Sequence, residues 1–353
     1  MEIFKKYGGV VLFGVVIFLV VYSNQPGSPI KSAIELSSFK KKIDACIPAD
    51  RMNFNFEKSI LDLNAVFDPL FNRAATLAGI NRLTDGVRAA IDNNADPEVI
   101  MERFNHFFFY ESSFIFDVNA NALLYEGSAG NSFSSEDFLN YQSIERVIMR
   151  RKGICLSLSV LYLIIAERLK LPVYGVVVPG HIFVRYEDDR HSGINSETTF
   201  GGAEYYGYKG MTGTEFLDKD TALYNKRLDN YTVLFAVLNN FSILYSVMKQ
   251  GDKAEYLLKK SIEIAPEFPE AHNNLGMLYA AKGRLNDAME ELKEAYRLFP
   301  GSSVTQLHLG LVYLADKKFT QAEEYLNKAL KNKRTAGQAA KALENLKKER
   351  DKA

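Results

Sequence analysis

The fold of the last third of the chain is decided by three similar stretches: SILYSVMKQGDKAEYLLKKSIEIAP (242–266), GMLYAAKGRLNDAMEELKEAYRLFP (276–300) and GLVYLADKKFTQAEEYLNKALKNKR (310–334). Each stretch begins 34 residues after the previous one and opens on a small residue. A tyrosine, an alanine, a leucine and a second small residue recur at fixed positions, as in Tyr245, Ala254, Leu258 and Ser261 of the first stretch. Proline ends the first two stretches, whereas Arg334 takes that place in the third.

A fixed 34-residue period is typical of the tetratricopeptide repeat, a pair of antiparallel helices. The small residues allow the two helices to approach closely, and proline ends each unit because it cannot continue a helix. The pattern predicts three repeats over 233–336, which form an all-α solenoid, and a polar capping helix over 337–353. The concave groove of such an array is expected to bind a protein or peptide partner. His272 and His308 lie on the first helices of two repeats, where we expect a solvated face.

Composition and charge exclude several classes of protein. A chain of 353 residues with 47% apolar residues predicts two or three packed domains. Because 43 basic residues balance 43 acidic ones, we expect no nucleic-acid partner. No nucleotide-binding or zinc-binding motif is found, so neither a cofactor nor a metal is expected. The two cysteines, Cys46 and Cys155, allow at most one disulfide, and Cys46 is expected to be inert packing.

The N-terminus contains 17 uncharged residues, YGGVVLFGVVIFLVVYS (7–23), after two lysines. This stretch predicts a membrane anchor over 1–23, followed by a linker over 24–35. A cleaved signal peptide is the alternative, although no A-x-A site follows the apolar run. Lys5 and Lys6 favour a cytoplasmic N-terminus. The sequence therefore predicts a single-pass protein of the inner (cytoplasmic) membrane whose bulk is extracytoplasmic, in the periplasm.

The middle of the chain changes from helical to mixed structure. Residues 36–141 have a mostly helical pattern, in which Asp96 and Pro97 are a suitable cap and first residue. The following stretch, RRKGICLSLSVLYLIIAERLKLPVYGVVVPGHIFVRY (150–186), breaks at Gly153 and predicts an apolar helix from about Cys155 to Leu169. Strands are predicted for VYGVVV (173–178), HIFVRYE (181–187) and INSETT (194–199), so this part of the chain is α+β.

This arrangement places chemically useful side chains near one another. Cys155 opens the apolar helix, and His181 and Glu197 lie on neighbouring predicted strands. A thiol becomes a strong nucleophile as a thiolate, which a helix N-terminus and a nearby imidazole both favour. The imidazole in turn needs a third group to orient it. The backbone N–H of Cys155 is a candidate oxyanion donor.

The stretch 150–186 and the later NSETTFGG (195–202) resemble the bacterial transglutaminase-like group, whose members often carry tetratricopeptide repeats. The resemblance implies a papain-like cysteine core over 142–232, with residues 36–141 as its helical N-terminal part. It implies that Cys155 is the nucleophile, His181 the base and Glu197 the orienting acid. The group usually has an aspartate in the place of Glu197, and Asn195 is the alternative orienter.

Two hypotheses for function follow. The first is a membrane-anchored cysteine hydrolase or acyl transferase that acts on a peptide or protein amide, with the repeats recruiting substrate or partner. The second is a non-catalytic, membrane-tethered scaffold for protein interactions, because relatives in the group sometimes lack the cysteine. Direct action on cell-envelope polymers is a third hypothesis, for which the sequence identifies no substrate.

Overall fold

The computed structural model describes residues 29–51, 54–117, 134–191, 193–203 and 224–352. The described chain is mostly helical with a few short strands. Its N-terminal part contains α1 (Pro29–Cys46), α2 (Phe56–Phe67), α3 (Arg73–Ala90), α4 (Pro97–Asn105), a π-helical turn (His106–Glu111), β1 (Ile115–Phe116), α5 (Ser135–Gln142) and α6 (Ile144–Arg150).

Two helix starts in this part bear on the sequence predictions. Asp96 caps α4 as predicted, because its Oδ1 accepts a hydrogen bond from the Glu98 amide at 3.0 Å and Pro97 is the first helical residue. In contrast, α1 begins at Pro29, inside the linker predicted for 24–35. Proline suits the first turn of a helix, since its fixed φ is helical and its missing N–H would have no partner there. The proline therefore starts a helix in a segment that we interpreted as a linker.

The mixed part of the chain begins with β2 (Lys152–Gly153). It continues with α7 (Cys155–Arg168), β3 (Val173–Val178), β4 (His181–Tyr186), β5 (Ile194–Ser196) and β6 (Arg227–Leu228). The sheet has the order β5–β4–β3–β6, and every neighbouring pair in it is antiparallel. Arg151 has φ +54° and separates α6 from β2, so the predicted break before α7 is present. The apolar helix and the first two strands therefore lie where the sequence predicted them.

The third strand is shorter than predicted. It ends at Ser196, whereas the pattern predicted a strand over 194–199. The chain turns at this point because the amides of Phe200 and Gly202 both donate to the carbonyl of Glu197, at 3.1 and 2.9 Å. Gly201 and Gly202 have φ of +66° and +83°, a region that favours glycine. Glu197 consequently stands in a tight turn rather than in the strand.

The C-terminal part consists of three helical hairpins and a final helix. The hairpins are α8 (Asn230–Val247) with α9 (Gly251–Ile264), α10 (Pro269–Ala281) with α11 (Leu285–Leu298), and α12 (Ser303–Ala315) with α13 (Phe319–Leu330), and α14 (Ala336–Arg350) follows them. The helices of the second and third hairpins touch at glycine, since a Cβ on Gly276 would lie 2.7 Å from Leu292 Cγ and one on Gly310 would lie 2.6 Å from Leu326 Cγ. The periodic small residues therefore mark the helix crossings, as the sequence predicted.

The first hairpin also packs on the mixed part of the chain. Phe241 of α8 stacks on Phe67 of α2, with ring centroids 4.0 Å apart. Val233 occupies the space beside Gly175 of β3, where an added Cβ would lie 2.8 Å from Val233 Cγ2. Buried apolar residues form one cluster that reaches from α1 to α14. The repeats are thus joined to the sheet by a continuous core.

The two repeat histidines are buried, so the prediction of a solvated face is wrong. His272 is 8% exposed and bonds to Glu291 Oε2 at 2.7 Å. His308 is fully buried, and its Nδ1 lies 2.8 Å from Asn273 Oδ1. His308 occupies the same repeat position as Asn240 and Asn274, 34 residues apart from one to the next. Buried polar pairs between neighbouring repeats, Asn239 with Asn274 and Asn273 with His308, explain why a polar pattern there does not indicate solvent.

The predicted membrane anchor, residues 1–23, lies outside the described residues. Within residues 29–352, apart from the gaps given above, no helix combines the length and the apolar character needed to cross a bilayer. The predicted single-pass location in the inner membrane, with an extracytoplasmic body, is corrected on this finding and is not retained.

Candidate active site

Cys155 is the first residue of α7. The residue before it, Ile154, has no side-chain acceptor, and the first hydrogen bond within the helix is donated by the Leu158 amide. The amides of Cys155 and Leu156 therefore point out of the helix end without a side-chain cap. Such amides favour a negative charge, whether on the sulfur or on an oxygen bound beside it. The Cys155 side chain is 4% exposed.

His181 is the first residue of β4 and follows the turn at Pro179 and Gly180. This turn pairs Val178 with His181, and Gly180 adopts φ +76°. The His181 ring hydrogen-bonds with the Cys155 thiol on one side and with Glu197 Oε2 on the other, the latter at 2.7 Å from Nε2. Since Nε2 is used by the carboxylate, Nδ1 is the nitrogen left for sulfur.

Glu197 is held on both carboxylate oxygens. Its Oε2 bonds to the His181 ring, and its Oε1 accepts hydrogen bonds from the Thr199 amide at 2.9 Å and the Thr199 hydroxyl at 2.7 Å. The side chain is fully buried. A carboxylate fixed in this way sets the orientation of the imidazole ring. The predicted contact between His181 and Glu197 is therefore present.

Asn195, the alternative orienter, has a different partner. Residues Arg185 and Asn195 are paired across β4 and β5, and Arg185 Nε donates to Asn195 Oδ1 at 2.7 Å. Glu197, two residues further along, is the one that reaches the His181 ring. The structure thus gives the orienting contact to Glu197 and joins Asn195 to Arg185.

The electrostatics of the site favour a protonated imidazole. Burial lowers the pKa of His181, but the hydrogen bonds and charges of Cys155 and Glu197 outweigh that effect and raise it from 6.5 to about 9. At the other cysteine, Cys46, burial and then the Asp62 carboxylate raise the pKa of the thiol to about 12. Both cysteines are free thiols, and only Cys155 has a histidine partner.

Thr198 ties the turn that carries Glu197 to the helix that carries Cys155. Its hydroxyl lies 3.1 Å from the Ser159 hydroxyl and 3.5 Å from the Cys155 carbonyl oxygen. Ser159 also donates to the carbonyl of Ile182, next to His181, at 3.4 Å. These three bonds join α7, β4 and the turn after β5, which carry Cys155, His181 and Glu197. The spacing of Cys155, His181 and Glu197 therefore rests on a buried polar network.

Asn105, at the end of α4, is a site residue that sequence reasoning missed. Its Oδ1 accepts from the Tyr162 hydroxyl at 3.0 Å and the Ser196 hydroxyl at 2.7 Å, and its Nδ2 donates to the Gly202 carbonyl at 3.0 Å. These bonds hold both ends of the turn that contains Glu197. The glycine pair Gly201–Gly202 was the only signal, because glycine indicates a close approach. A Cβ on Gly202 would lie 2.4 Å from Asn105 Cγ.

A small cavity of about 30 Å³ opens onto Cys155 and His181. Its opposite wall comes from the repeats and contains Asn239 and Asn240 of α8 and Glu270 of α10. A second cavity of about 50 Å³ also touches Glu270 and continues along the start of α12. The volume of the first cavity suits a carbonyl or carboxamide group rather than a bulky side chain.

Part of the repeat surface beside these cavities is covered by the chain itself. The Tyr224 ring lies between Phe268 and Phe299, with centroids 6.3 and 5.3 Å away. Its hydroxyl donates to Glu270 Oε1 at 2.8 Å. Tyr224 therefore occupies part of the repeat surface beside the two cavities, and that part is closed to a partner.

Among the described residues, no three His, Cys, Asp or Glu side chains gather in a way that could hold a metal ion. The arrangement of Cys155, His181 and Glu197 has the parts needed for attack of a thiolate on a carbonyl. These parts are a nucleophile, an oriented acid–base group and uncapped amides at a helix start.

Comparison with protein families agrees with the resemblance that the sequence indicated. Residues 74–200 match the transglutaminase-like superfamily, and residues 267–335 match the tetratricopeptide repeat. The chain is also similar to the protein called UPF0162 protein in two strains of Xylella fastidiosa. The identity is 28% over 153 residues in strain Temecula1 and 29% over 154 residues in strain 9a5c. The match spans 41% of this chain and 53% of each relative, so it covers about half of their length.

Two solved structures superpose on larger parts of the chain. A crystal structure of menin, described as revealing the binding site for the Mixed Lineage Leukemia protein, is 15% identical with a TM-score of 0.38 and covers 77% of this chain and 69% of menin. The TPR2AB domain of yeast Sti1 in complex with pHSP90 is 13% identical with a TM-score of 0.28 and covers 89% and 95%. Both TM-scores are too low to bear on function. The chain thus carries a transglutaminase-like domain and tetratricopeptide repeats, which are a protein-interaction module.

Proposed function

We propose that this protein is a cysteine hydrolase or acyl transferase that acts on a peptide or protein amide. The observation that carries the proposal is the hydrogen-bonded series Cys155–His181–Glu197 at the start of α7. All three residues lie within the match to the transglutaminase-like superfamily, which supports acyl transfer as the reaction class. The orienting carboxylate and the helix end both serve the thiolate, and no cofactor is needed for this chemistry.

The proposed reaction has two steps. The Cys155 thiolate attacks the carbonyl carbon and forms a C–S bond, while the Cys155 amide donates to the oxyanion. His181 gives its proton to the leaving nitrogen as the C–N bond breaks, which releases an amine or ammonia and leaves a thioester. Water or a second amine then gives a proton to His181 as it attacks the thioester, the C–S bond breaks, and the Cys155 thiolate is regenerated beside the protonated His181. The choice between these two nucleophiles distinguishes hydrolysis from transamidation.

The repeats are proposed to recruit the substrate or a partner protein. The side of the repeats that carries Glu270 and is covered by Tyr224 lies against the Cys155 cavity. The rest of their concave surface is the candidate binding groove. Because the same core packs both units, a peptide bound there would lie at a fixed distance from Cys155.

The rate at which iodoacetamide alkylates Cys155 tests the enzyme proposal. The measurement uses a Cys46→Ala background over pH 5–10, so that a single thiol reports. We expect substantial reaction well below pH 8.5, the usual pKa of a thiol, and at least a tenfold loss of rate at pH 6.5 in His181→Gln. His191→Gln is the matched control, since His191 also bonds to a carboxylate, that of Asp188 at 2.8 Å. A rate that simply follows an ordinary thiol, or that ignores His181→Gln, would end the enzyme proposal.

A second candidate is a non-catalytic scaffold for protein interactions. The observation that favours it is the 4% exposure of Cys155, which a structural cysteine would share. On this hypothesis the folded protein protects Cys155 from alkylation at every pH, and Cys155→Ala retains all partner binding. Pull-down of partners with Cys155→Ala and with the parent chain, followed by mass spectrometry, compares the two. A partner trapped only by Cys155→Ala would favour the enzyme.

A further inference from the structure

Glu270 is a carboxyl group from the repeats that faces the cavity of Cys155 and His181. It is the second residue of α10 and lines the 30 Å³ cavity together with Cys155 and His181. Its Oε1 accepts the Tyr224 hydroxyl at 2.8 Å. Its Oε2 is buried and has no hydrogen-bond partner within the described part of the chain. A buried oxygen without a partner costs free energy, so it indicates a place where a ligand group is missing.

The protonation state of Glu270 determines which ligand group fits. Burial raises the pKa of this carboxyl, against the opposing effects of the Tyr224 hydroxyl and the backbone amides of Glu270 and Gly180. Burial of this kind favours the neutral acid. Because Oε1 accepts from Tyr224, the proton of the neutral acid belongs on Oε2. An O–H on Oε2 needs an acceptor, and a carbonyl oxygen is the acceptor that an amide substrate supplies.

Asn239 presents a second donor on the same wall. Its Oδ1 already accepts from Asn274 Nδ2 at 2.8 Å, which leaves its NH₂ group for other acceptors. No lysine or arginine lines the cavity. The wall formed by the repeats therefore offers neutral donors, which match an uncharged carbonyl group better than a carboxylate or phosphate.

We propose that Glu270 of the second repeat binds a carbonyl oxygen of the acyl group at Cys155, so that the repeats complete the substrate pocket of the transglutaminase-like domain. This inference rests on the proposed function, because it assumes a reactive Cys155. It assigns the repeats a direct part in the acyl site, in addition to recruitment.

Two thiol-reactive probes on the full chain with Cys46→Ala test this contact. Iodoacetamide carries a carboxamide, whereas methyl methanethiosulfonate has no carbonyl and reports thiolate reactivity. We expect the rate constant for iodoacetamide, divided by that for methyl methanethiosulfonate, to fall about 3- to 10-fold in Glu270→Ala. This change corresponds to the loss of one net hydrogen bond. Glu270→Gln keeps a donor and should stay within about twofold of the parent. Glu267→Ala, an exposed neighbour, is the matched control.

The outcomes separate the two proposals. Equal losses for both probes in Glu270→Ala would mean that Glu270 acts only by holding the Gly180 turn before His181, which overturns the substrate contact. An unchanged ratio would overturn it as well. If the parent chain reacts with neither probe, the proposed function fails and this inference falls with it. Glu270→Leu fills the volume of the side chain and gives the same readout if the alanine variant does not fold.

Discussion

Replacing Asn105 by alanine should destabilise the protein and slow the alkylation of Cys155, which lies on α7. The side chain makes three hydrogen bonds, to Tyr162, Ser196 and Gly202, at 3.0, 2.7 and 3.0 Å. Each such bond contributes about 1 kcal/mol net. Water can reach the half-buried Asn105 from the open groove beside it, and this lowers the cost of the lost bonds. We therefore expect the free energy of unfolding to fall by about 2–3 kcal/mol.

The assay is urea unfolding followed by circular dichroism, together with the iodoacetamide rate of Cys155. Tyr162→Phe removes one of the three bonds and should cost about 1 kcal/mol. The double variant should cost less than the sum of the two, since both single variants remove the same bond. The alkylation rate should fall in Asn105→Ala because the turn that holds Glu197 loses its two anchors. A loss below about 0.5 kcal/mol, or strict additivity, would refute the view that Asn105 holds this turn.

Three further predictions concern packing and pH. Gly276→Ala should cost about 1–3 kcal/mol in urea unfolding because its Cβ would lie 2.7 Å from Leu292 Cγ, whereas Gly337→Ala, with nothing within 4 Å, should be neutral or stabilising. The folded state retains the His181 proton between pH 6.5 and about 9, where the unfolded state has released it. The free energy of unfolding should therefore fall across that window by on the order of 3 kcal/mol more in the parent than in His181→Gln. Burial lowers the pKa of His308 to about 3, so only the unfolded state gains that proton as pH falls below 6.5. The free energy of unfolding should therefore fall less with acid in His308→Asn than in the parent. Equal dependence on pH in the two proteins would contradict the lowered pKa of His308.

The repeats and the contact between His181 and Glu197 could be predicted from sequence because local rules fix both. A 34-residue period fixes which helices cross, and glycine at the crossing leaves little choice of packing. His181 follows a two-residue turn, so its register against Val178 is determined by the chain itself. Glu197 was preferred to Asn195 by resemblance, and the pairing of Arg185 with Asn195 gives the physical reason. Glu197 is the residue that bonds to the His181 ring.

The remaining site residues depend on contacts between distant segments. Asn105 is 91 residues from Ser196, and nothing in its local pattern indicates a contact. The repeat pattern does not single out Glu270, which α10 turns toward the sheet, where it lines the same cavity as His181. The short strand β1 has only two residues and pairs with β2 through the parallel register Ile115–Lys152, which no periodicity could indicate. Long-range polar contacts of this kind carry no sequence period, so pattern analysis cannot find them.

The continuous core packs the repeats and the transglutaminase-like domain together. Val233 of the first repeat fills the space that Gly175 leaves, and Phe241 covers Phe67. Removing the repeats would expose these apolar surfaces and open one wall of the Cys155 cavity at the same time. The repeats therefore cannot act as a separable arm, because the contacts that hold them in place also shape the pocket. If the proposed function holds, a partner that shifts α10 by about 1 Å would change the reaction rate at Cys155, since catalytic positioning is sensitive on that scale.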